Sequence, residues 1–386
     1  MSDELEAWIS RTDLSMADAE SLRLLFEQRS DHVTFMQPSL QSIQSVALVE
    51  TEDADWNPVV HNTDRYEDLG MLGQGGMGQV RRVKDRRLGR VVAMKIMRPE
   101  LLSNPREVQR FVEEAQVGAQ LQHPSICPVY ELDLLPSGEY YFTMPEVTGV
   151  RFIDIIRNVH KASDNGCWKA SEDGWTFNRL LTCFLHICEA IAFAHGKGVA
   201  HRDLKPQNVM IGALGQVVIM DWGLAKLVGT SLGESEIHSD RQLATRPGSI
   251  IGTPAYMPPE QAFGDVERVD VRADVYSLGA ILYEILCGRA PYNGATHKDI
   301  LNQMLMGPPK TLRQDNQNQP TQPGRITSLD FLFGGDTKPS VIESNPRPQA
   351  LIEICERAMQ HKPDDRYANA SELLEVFQRY LRKKKK

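Results

Sequence analysis

The stretch His201-Arg202-Asp203-Leu204-Lys205-Pro206-Gln207-Asn208, followed thirteen residues past Asn208 by Asp221-Trp222-Gly223, constrains this chain more than any other feature. It gathers a carboxylate, an ammonium and two hard oxygen donors into one short span. Asp203 is suited to orient and deprotonate a hydroxyl, and Lys205 to hold a transferring phosphate. Asn208 and Asp221 offer oxygen ligands of the kind Mg²⁺ takes. Phosphoryl transfer needs positioning and charge neutralisation more than covalent chemistry. A fold for this sequence therefore has to bring these four side chains to one cleft.

A second motif lies far upstream. Gly73-Gln74-Gly75-Gly76-Met77-Gly78-Gln79-Val80 has the spacing G-x-G-x-x-G-x-V. Glycines let a hairpin approach phosphates closely and expose its backbone N–H groups. A similar spacing serves dinucleotide folds, but those need a helix directly after the glycines and an acidic residue about 20 positions on. Here a β-like run follows, and Lys95 stands 17 residues after Gly78. The dinucleotide alternative is excluded on that context. Val92-Ala93-Met94-Lys95 has the character of a strand, and the helix-patterned segment after it carries two acids, Glu113 and Glu114. On a helix these point about 100° apart, so only one of them can reach Lys95.

Together these motifs resemble the protein kinases, and within them the bacterial (eukaryotic-like, Hanks-type) serine/threonine kinases. The resemblance covers about residues 66–380, with every motif in order. It implies an α+β, two-lobed fold: an antiparallel-sheet N-lobe with one main helix, hinged to a mainly helical C-lobe. It implies that Lys95 binds ATP phosphates and pairs with Glu114. It assigns Asp203 as the base, Lys205 to the γ-phosphate, and Asn208 and Asp221 to Mg²⁺, with Mn²⁺ as an alternative. Leu72, Gly73, Gly75, Gly78, Val80, Ala93 and Met210 would enclose the nucleotide, with Met144 behind the adenine. Pro145 replaces the usual acidic hinge residue; its carbonyl would accept from adenine and the Val147 N–H would donate. Trp222 stands where Phe is usual, before Gly223, and its bulk would restrict flipping of the segment. Asp221 to Glu260 would form the activation segment. Within it Thr253 would brace Asp203 and Lys205, and Pro258 replaces a common Ala or Ser. Glu260 would pair with Arg366, and Asp274 would anchor the catalytic loop. Arg202 would meet a phosphorylated loop residue, with Thr245 the first candidate and Ser249 the second. The alternative to an enzyme is a pseudokinase scaffold or interaction protein, which commonly lacks one of these residues.

The rest of the chain bounds the setting. Residues 1–60 hold 12 acids and 3 bases, a charge of −9; the total of −8 leaves about +1 for the remainder. An acidic leader on a near-neutral body does not suit nucleic-acid binding. The six cysteines show no paired spacing and suit reduced core thiols of a cytosolic protein. No run of about 18–20 apolar residues stands out in the sequence as a membrane helix, and Met1-Ser2-Asp3-Glu4 does not resemble a signal peptide. A cytoplasmic protein is the expectation. The end Arg382-Lys383-Lys384-Lys385-Lys386 fits a solvated tail, a cloning artefact or a truncated juxtamembrane segment contacting anionic lipid.

The domain plan is a leader over 1–64, an N-lobe over 65–144, a hinge and C-lobe over 145–380, and a basic tail over 381–386. In the leader, Ser15 is a plausible cap for one helix, and 40–49 suits a short docking segment for a protein partner. Strands are expected at 66–73, 78–83, 90–97 and 140–144. Helices are expected at 105–121, 177–195, 271–286, 348–361 and 370–381. Two segments look inserted: 158–175 is polar and carries Trp168 and Trp175, and 311–346 has the composition of a long surface loop.

Overall fold

The computed structural model describes residues 65–163, 168–223, 226–227, 254–262, 264, 269–294, 296–309, 312 and 347–384. The leader, Thr245, Ser249, Thr253 and nearly all of 311–346 lie outside the described residues. The N-lobe sheet contains β1 (Tyr66–Gln74), β2 (Gly78–Asp85), β3 (Arg90–Met97), β4 (Glu131–Leu134) and β5 (Tyr140–Met144). Its order is β1-β2-β3-β5-β4, antiparallel throughout. Strand periodicity explains its two faces. Ala93 and Met97 turn to one side and pack with Phe111, Ala115, Phe142 and Met144. Val92, Met94 and Ile96 turn to the other and pack with Val83 and Tyr141. Lys95 shares the parity of Ala93 and Met97, so it points at the helix.

That helix is α1 (Pro105–Gln120). Asn104 caps it by accepting from the Arg106 N–H, and Pro105 occupies the first turn, where no intrahelical donor is lost. Phe111, Glu114, Ala115 and Gly118 form its buried face. Gly118 is needed there, because a Cβ would come within 2.8 Å of the Val129 side chain. The spacing 111, 114, 115, 118 is helical, and it carries the charged Glu114 inward with the apolar residues.

The C-lobe is built on α3 (Phe177–Gly196), α5 (Arg272–Cys287), α7 (Gln349–Ala358) and α8 (Ala370–Lys384), whose apolar faces share one core. Thr176 caps α3 by accepting from the Arg179 N–H. Among the described residues α3 alone is long and apolar enough to cross a membrane by length and composition. Leu180, Leu181, Phe184, Ile187, Cys188 and Ile191 of α3 are nevertheless buried in the shared core. Smaller elements are β6 (Gly149–Arg151), α2 (Phe152–Ala162), β7 (Val199–Ala200), β8 (Val209–Gly212), β9 (Val217–Ile219), β10 (Lys226–Leu227), α4 (Pro259–Ala262) and α6 (His297–Leu305). Strands β6, β8 and β9 pair into a small sheet, and β10 pairs with β7.

The segment 158–175 begins inside a helix. Its first five residues complete α2, where Val159 is fully buried. Further on, Trp168 stacks on Phe177 at 4.1 Å, and Trp175 packs against the same core. Cys127, Cys183, Cys188, Cys287 and Cys355 are free thiols. Burial pushes Cys127 and Cys183 up to about 12, which keeps them protonated and unreactive.

Candidate active site

On the N-lobe side, Lys95 Nζ lies 2.6 Å from Glu114 Oε1, with both side chains largely buried. Burial pushes the Glu114 carboxyl above the usual carboxylate range, and the Lys95 ammonium works against that shift. Glu113 instead accepts from Gln109 Nε2 at 2.9 Å on the helix surface. The structure thus decides between the two acids. Gly223 abuts the same pair: a Cβ there would come within 2.9 Å of Glu114 Oε2.

The glycine turn lies between β1 and β2. A Cβ at Gly78 would collide with the Ile96 carbonyl, whereas Gly73 and Gly76 face open space. Val80 and Val147 pack against the cluster that holds Ala93 and Met144, and Ala93 is the cross-strand partner of Met144. Leu72 is exposed, and Met210 is half-buried opposite Arg151 in the small sheet. Glu146, between Pro145 and Val147, accepts from Arg82 Nε at 2.9 Å and ties β2 to the lobe connection.

On the C-lobe side, the loop after β7 is held from beneath. Asp274, fully buried on α5, accepts from the His201 N–H at 2.7 Å and the Arg202 N–H at 2.8 Å. His195 Nε2 reaches the same carboxylate at 2.9 Å, and its Nδ1 accepts from the Ala370 N–H that begins α8. Burial alone would raise the Asp274 carboxyl. The donors from His195 and the loop more than offset it and hold the group below the usual range. A carboxyl lowered on folding contributes stability that is present above its unfolded value, near pH 4, and is lost as pH falls through the folded value. Urea midpoints of wild type and Asp274→Asn are therefore expected to converge as pH drops below about 4.

Held this way, the loop presents a compact polar cluster. Lys205 Nζ donates to both carboxylate oxygens of Asp203, at 3.0 and 2.8 Å. Asn208 Nδ2 donates to the Asp203 carbonyl at 2.9 Å and to its Oδ2 at 3.2 Å. The Met220 N–H donates to the Asn208 carbonyl at 2.8 Å, which joins the loop to Asp221. Arg202 and Asp221 both adopt left-handed backbone, φ 64° and 59°, the only described non-glycine residues to do so. Such conformations cost about 1–3 kcal/mol each and persist where the surroundings over-determine them. Trp222 is buried with its ring 4.5 Å from His201, and its indole N–H has no hydrogen-bond partner among the described residues. Arg202 donates through Nη2 to the Val269 carbonyl at 3.0 Å.

His195, His201 and Gln261 were not singled out from the sequence. His201 Nδ1 accepts from the Asp203 N–H at 3.3 Å, and Gln261 Nε2 donates to the Arg202 carbonyl at 2.8 Å. His201 sits inside the loop motif and was legible in principle. His195 and Gln261 act through contacts 79 and 59 residues away, which no local pattern reports. Below the loop, Arg366 pairs with both oxygens of Glu260, at 2.6 and 2.8 Å.

Residues 66–377 match the protein kinase domain family. The chain belongs to that family. Among its relatives, the serine/threonine-protein kinase PknD of Protochlamydia amoebophila is 33% identical over 325 residues, covering 83% of this chain and 30% of the relative. PknD of Chlamydia trachomatis serovar D is 32% identical, covering 82% and 32%. PknB of Mycobacterium tuberculosis is 40% identical over 237 residues, covering 61% and 34%. The chain thus spans about a third of the length of these relatives. In this kinase domain the structure pairs Lys95 with Glu114, groups Asp203 with Lys205 and Asn208, pairs Glu260 with Arg366, and sets Asp274 under the loop backbone. Thr253, Thr245 and Ser249 are outside the described residues.

Proposed function

We propose that this domain is a serine/threonine protein kinase that transfers the γ-phosphate of ATP to Ser or Thr hydroxyls of proteins. The observation that carries the proposal is the undepleted charge set: a buried Lys95–Glu114 pair and an Asp203–Lys205–Asn208 cluster joined through Met220 to Asp221. A scaffold has no need to bury Glu114 for a lysine, or to hold two left-handed residues beside one cleft.

The donor set fits a hard dication. The Asn208 amide nitrogen is engaged by Asp203, which leaves its carbonyl oxygen free to ligate. Asp221 is exposed and accepts no hydrogen bond among the described residues. Asn208 and Asp221 would hold Mg²⁺, or Mn²⁺, which supplies charge neutralisation at the phosphates. Asp203 accepts the proton of the acceptor hydroxyl. Lys205, already on that carboxylate, places an ammonium where negative charge develops on transfer. Lys95, aimed by Glu114, steadies the other phosphates, and the open space at Gly73 and Gly76 leaves room for them. Ala93, Val80, Met144 and Val147 supply an apolar wall for a purine. Pro145 retains a carbonyl acceptor there.

Arg202, whose Nη2 donates to the Val269 carbonyl, is proposed to meet Thr245 or Ser249 once activation-loop autophosphorylation has modified it. The acidic leader is proposed to bind a protein partner, the setting is cytoplasmic, and the basic end meets lipid only if it continues into a membrane segment.

Glu114→Gln keeps a hydrogen bond to Lys95 and loses its charge. Charge-assisted bonds are roughly twice as strong as neutral ones, so kcat/KM for ATP is expected to fall about tenfold, read by steady-state kinetics. The function itself is tested by offering Mg²⁺-ATP and a degenerate peptide library containing Ser, Thr and Tyr. Phosphate is expected on Ser and Thr only. Transfer to Tyr alone, or nucleotide binding without transfer, contradicts the proposal.

A further inference from the structure

We infer that Arg98 is a positioning residue for the glycine loop, setting its backbone for the phosphates of the nucleotide; this rests on the kinase function proposed above. Arg98 follows directly on β3, three residues past Lys95, and begins the connection to α1 that carries Glu114. It grips the glycine turn at two points. Its backbone N–H donates to the Met77 carbonyl at 3.0 Å, and its Nη2 donates to the Gly75 carbonyl at 2.6 Å. The turn is pinned again where the Gly75 N–H donates to the Gly78 carbonyl at 2.8 Å.

The Gly75 contact has a geometric consequence. No described peptide bond is cis, and a trans peptide sends its C=O and the following N–H to opposite sides. With the Gly75 carbonyl turned to the guanidinium, the Gly76 N–H is presented on the other side of the turn. Gly76 has no atom within 4 Å of the place where its Cβ would be, so this donor borders open space. Free rotation of a Gly75-Gly76 peptide would average that orientation away, and glycine has the largest conformational freedom to lose. A side-chain bond from outside the turn removes part of that freedom in advance, which is preorganisation for an anion.

Charge points the same way. Among the described residues Arg98 forms no ion pair with a carboxylate, and its Nε is buried without a hydrogen-bond partner. A guanidinium left uncompensated beside a turn of exposed amides favours negative charge there. Four other N-lobe arginines are neutralised, Arg65 by Asp85 and Glu131, Arg81 by Asp68, Arg82 by Glu146, and Arg86 by Glu67, whereas Arg90 lies over the Tyr130 ring, away from the glycine turn.

The test is calorimetric titration of the full chain with Mg²⁺-ATP, Mg²⁺-ADP and adenosine, for wild type, Arg98→Met and Arg98→Lys. One charge-assisted hydrogen bond corresponds to about tenfold in affinity. Arg98→Met is expected to weaken ATP and ADP about tenfold and to leave adenosine unchanged. Arg98→Lys, which keeps the charge and one donor, is expected to recover part of the loss. In turnover assays KM for ATP rises while kcat is nearly kept. Equal ATP affinity in wild type and Arg98→Met overturns the inference, as does a parallel loss of adenosine, which marks general loosening of the lobe. A wild type that binds no ATP overturns the proposed function as well, and the wild-type titration tells the two failures apart.

Discussion

Asp203→Asn is expected to lower phosphate transfer by roughly 10²–10⁴-fold, the range for removing one general base, with little change in nucleotide affinity or stability. The geometry explains why the effect is confined to chemistry. Lys205 donates to Asp203 and Asn208 donates to its carbonyl and carboxylate. An asparagine oxygen still accepts from Lys205, and the backbone bond to Asn208 is untouched. The loop beneath is held by Asp274 through the His201 and Arg202 amides, independently of the 203 side chain. What asparagine cannot do is take a proton from an acceptor hydroxyl. Single-turnover transfer and ATP titration on the same preparations separate the two properties. A parallel loss of ATP binding would mean that Asp203 is structural.

The largest stability effect is expected at Arg366. Its guanidinium has five N–H donors, and the structure gives each an acceptor: the Gln360 carbonyl, both oxygens of Glu260, and the carbonyls of Arg272 and His361. Both charged side chains are almost wholly buried, at 0% and 5% exposure. Arg366→Met removes the cation and strands Glu260 in the interior, which costs about 3–5 kcal/mol. Arg366→Lys is expected to rescue little, because an ammonium cannot reproduce the planar fork. The double variant Glu260→Leu with Arg366→Met is expected to be more stable than Arg366→Met alone, since it leaves no orphaned charge. Urea unfolding of the four proteins measures this. Glu260 lies in the first turn of α4 and ends the activation segment, so Arg366→Met is also expected to cut activity when assayed well below its melting temperature.

Much of this architecture is visible in the sequence because local pattern and chemistry agree. The glycine turn and the β-rich runs around and after it mark β1, β2, β3 and β5, and the long apolar helix over Phe177–Gly196 differs from its expected end by one residue. The choice of Glu114 over Glu113 needed the structure: both sit on α1, and only the direction of the buried face separates them. The helical start of 158–175 is hidden in the sequence because Asn158 and Lys161 are exposed on α2 while Val159 packs inward and His160 bonds the Ile285 carbonyl. Strand β4 was missed because it is only four residues long and two of them are acids, one engaged by partners far along the chain. Glu131 accepts from Arg65 and Tyr66. Arg98, His195 and Gln261 share that last cause. Each acts through hydrogen bonds to residues distant in sequence, and such contacts at a loop or helix end leave no periodic trace.

The central claim, that one cleft here moves phosphate to Ser and Thr, is tested most directly by phosphosite mapping. Purified wild type and Asp203→Asn are incubated side by side with Mg²⁺-ATP and their sites mapped by mass spectrometry. Phosphoserine or phosphothreonine on the wild type alone, with Thr245 or Ser249 among the sites, is the predicted result. An equally phosphorylated Asp203→Asn, or a wild type that binds ATP and transfers phosphate neither to itself nor to a Ser/Thr protein, would contradict it.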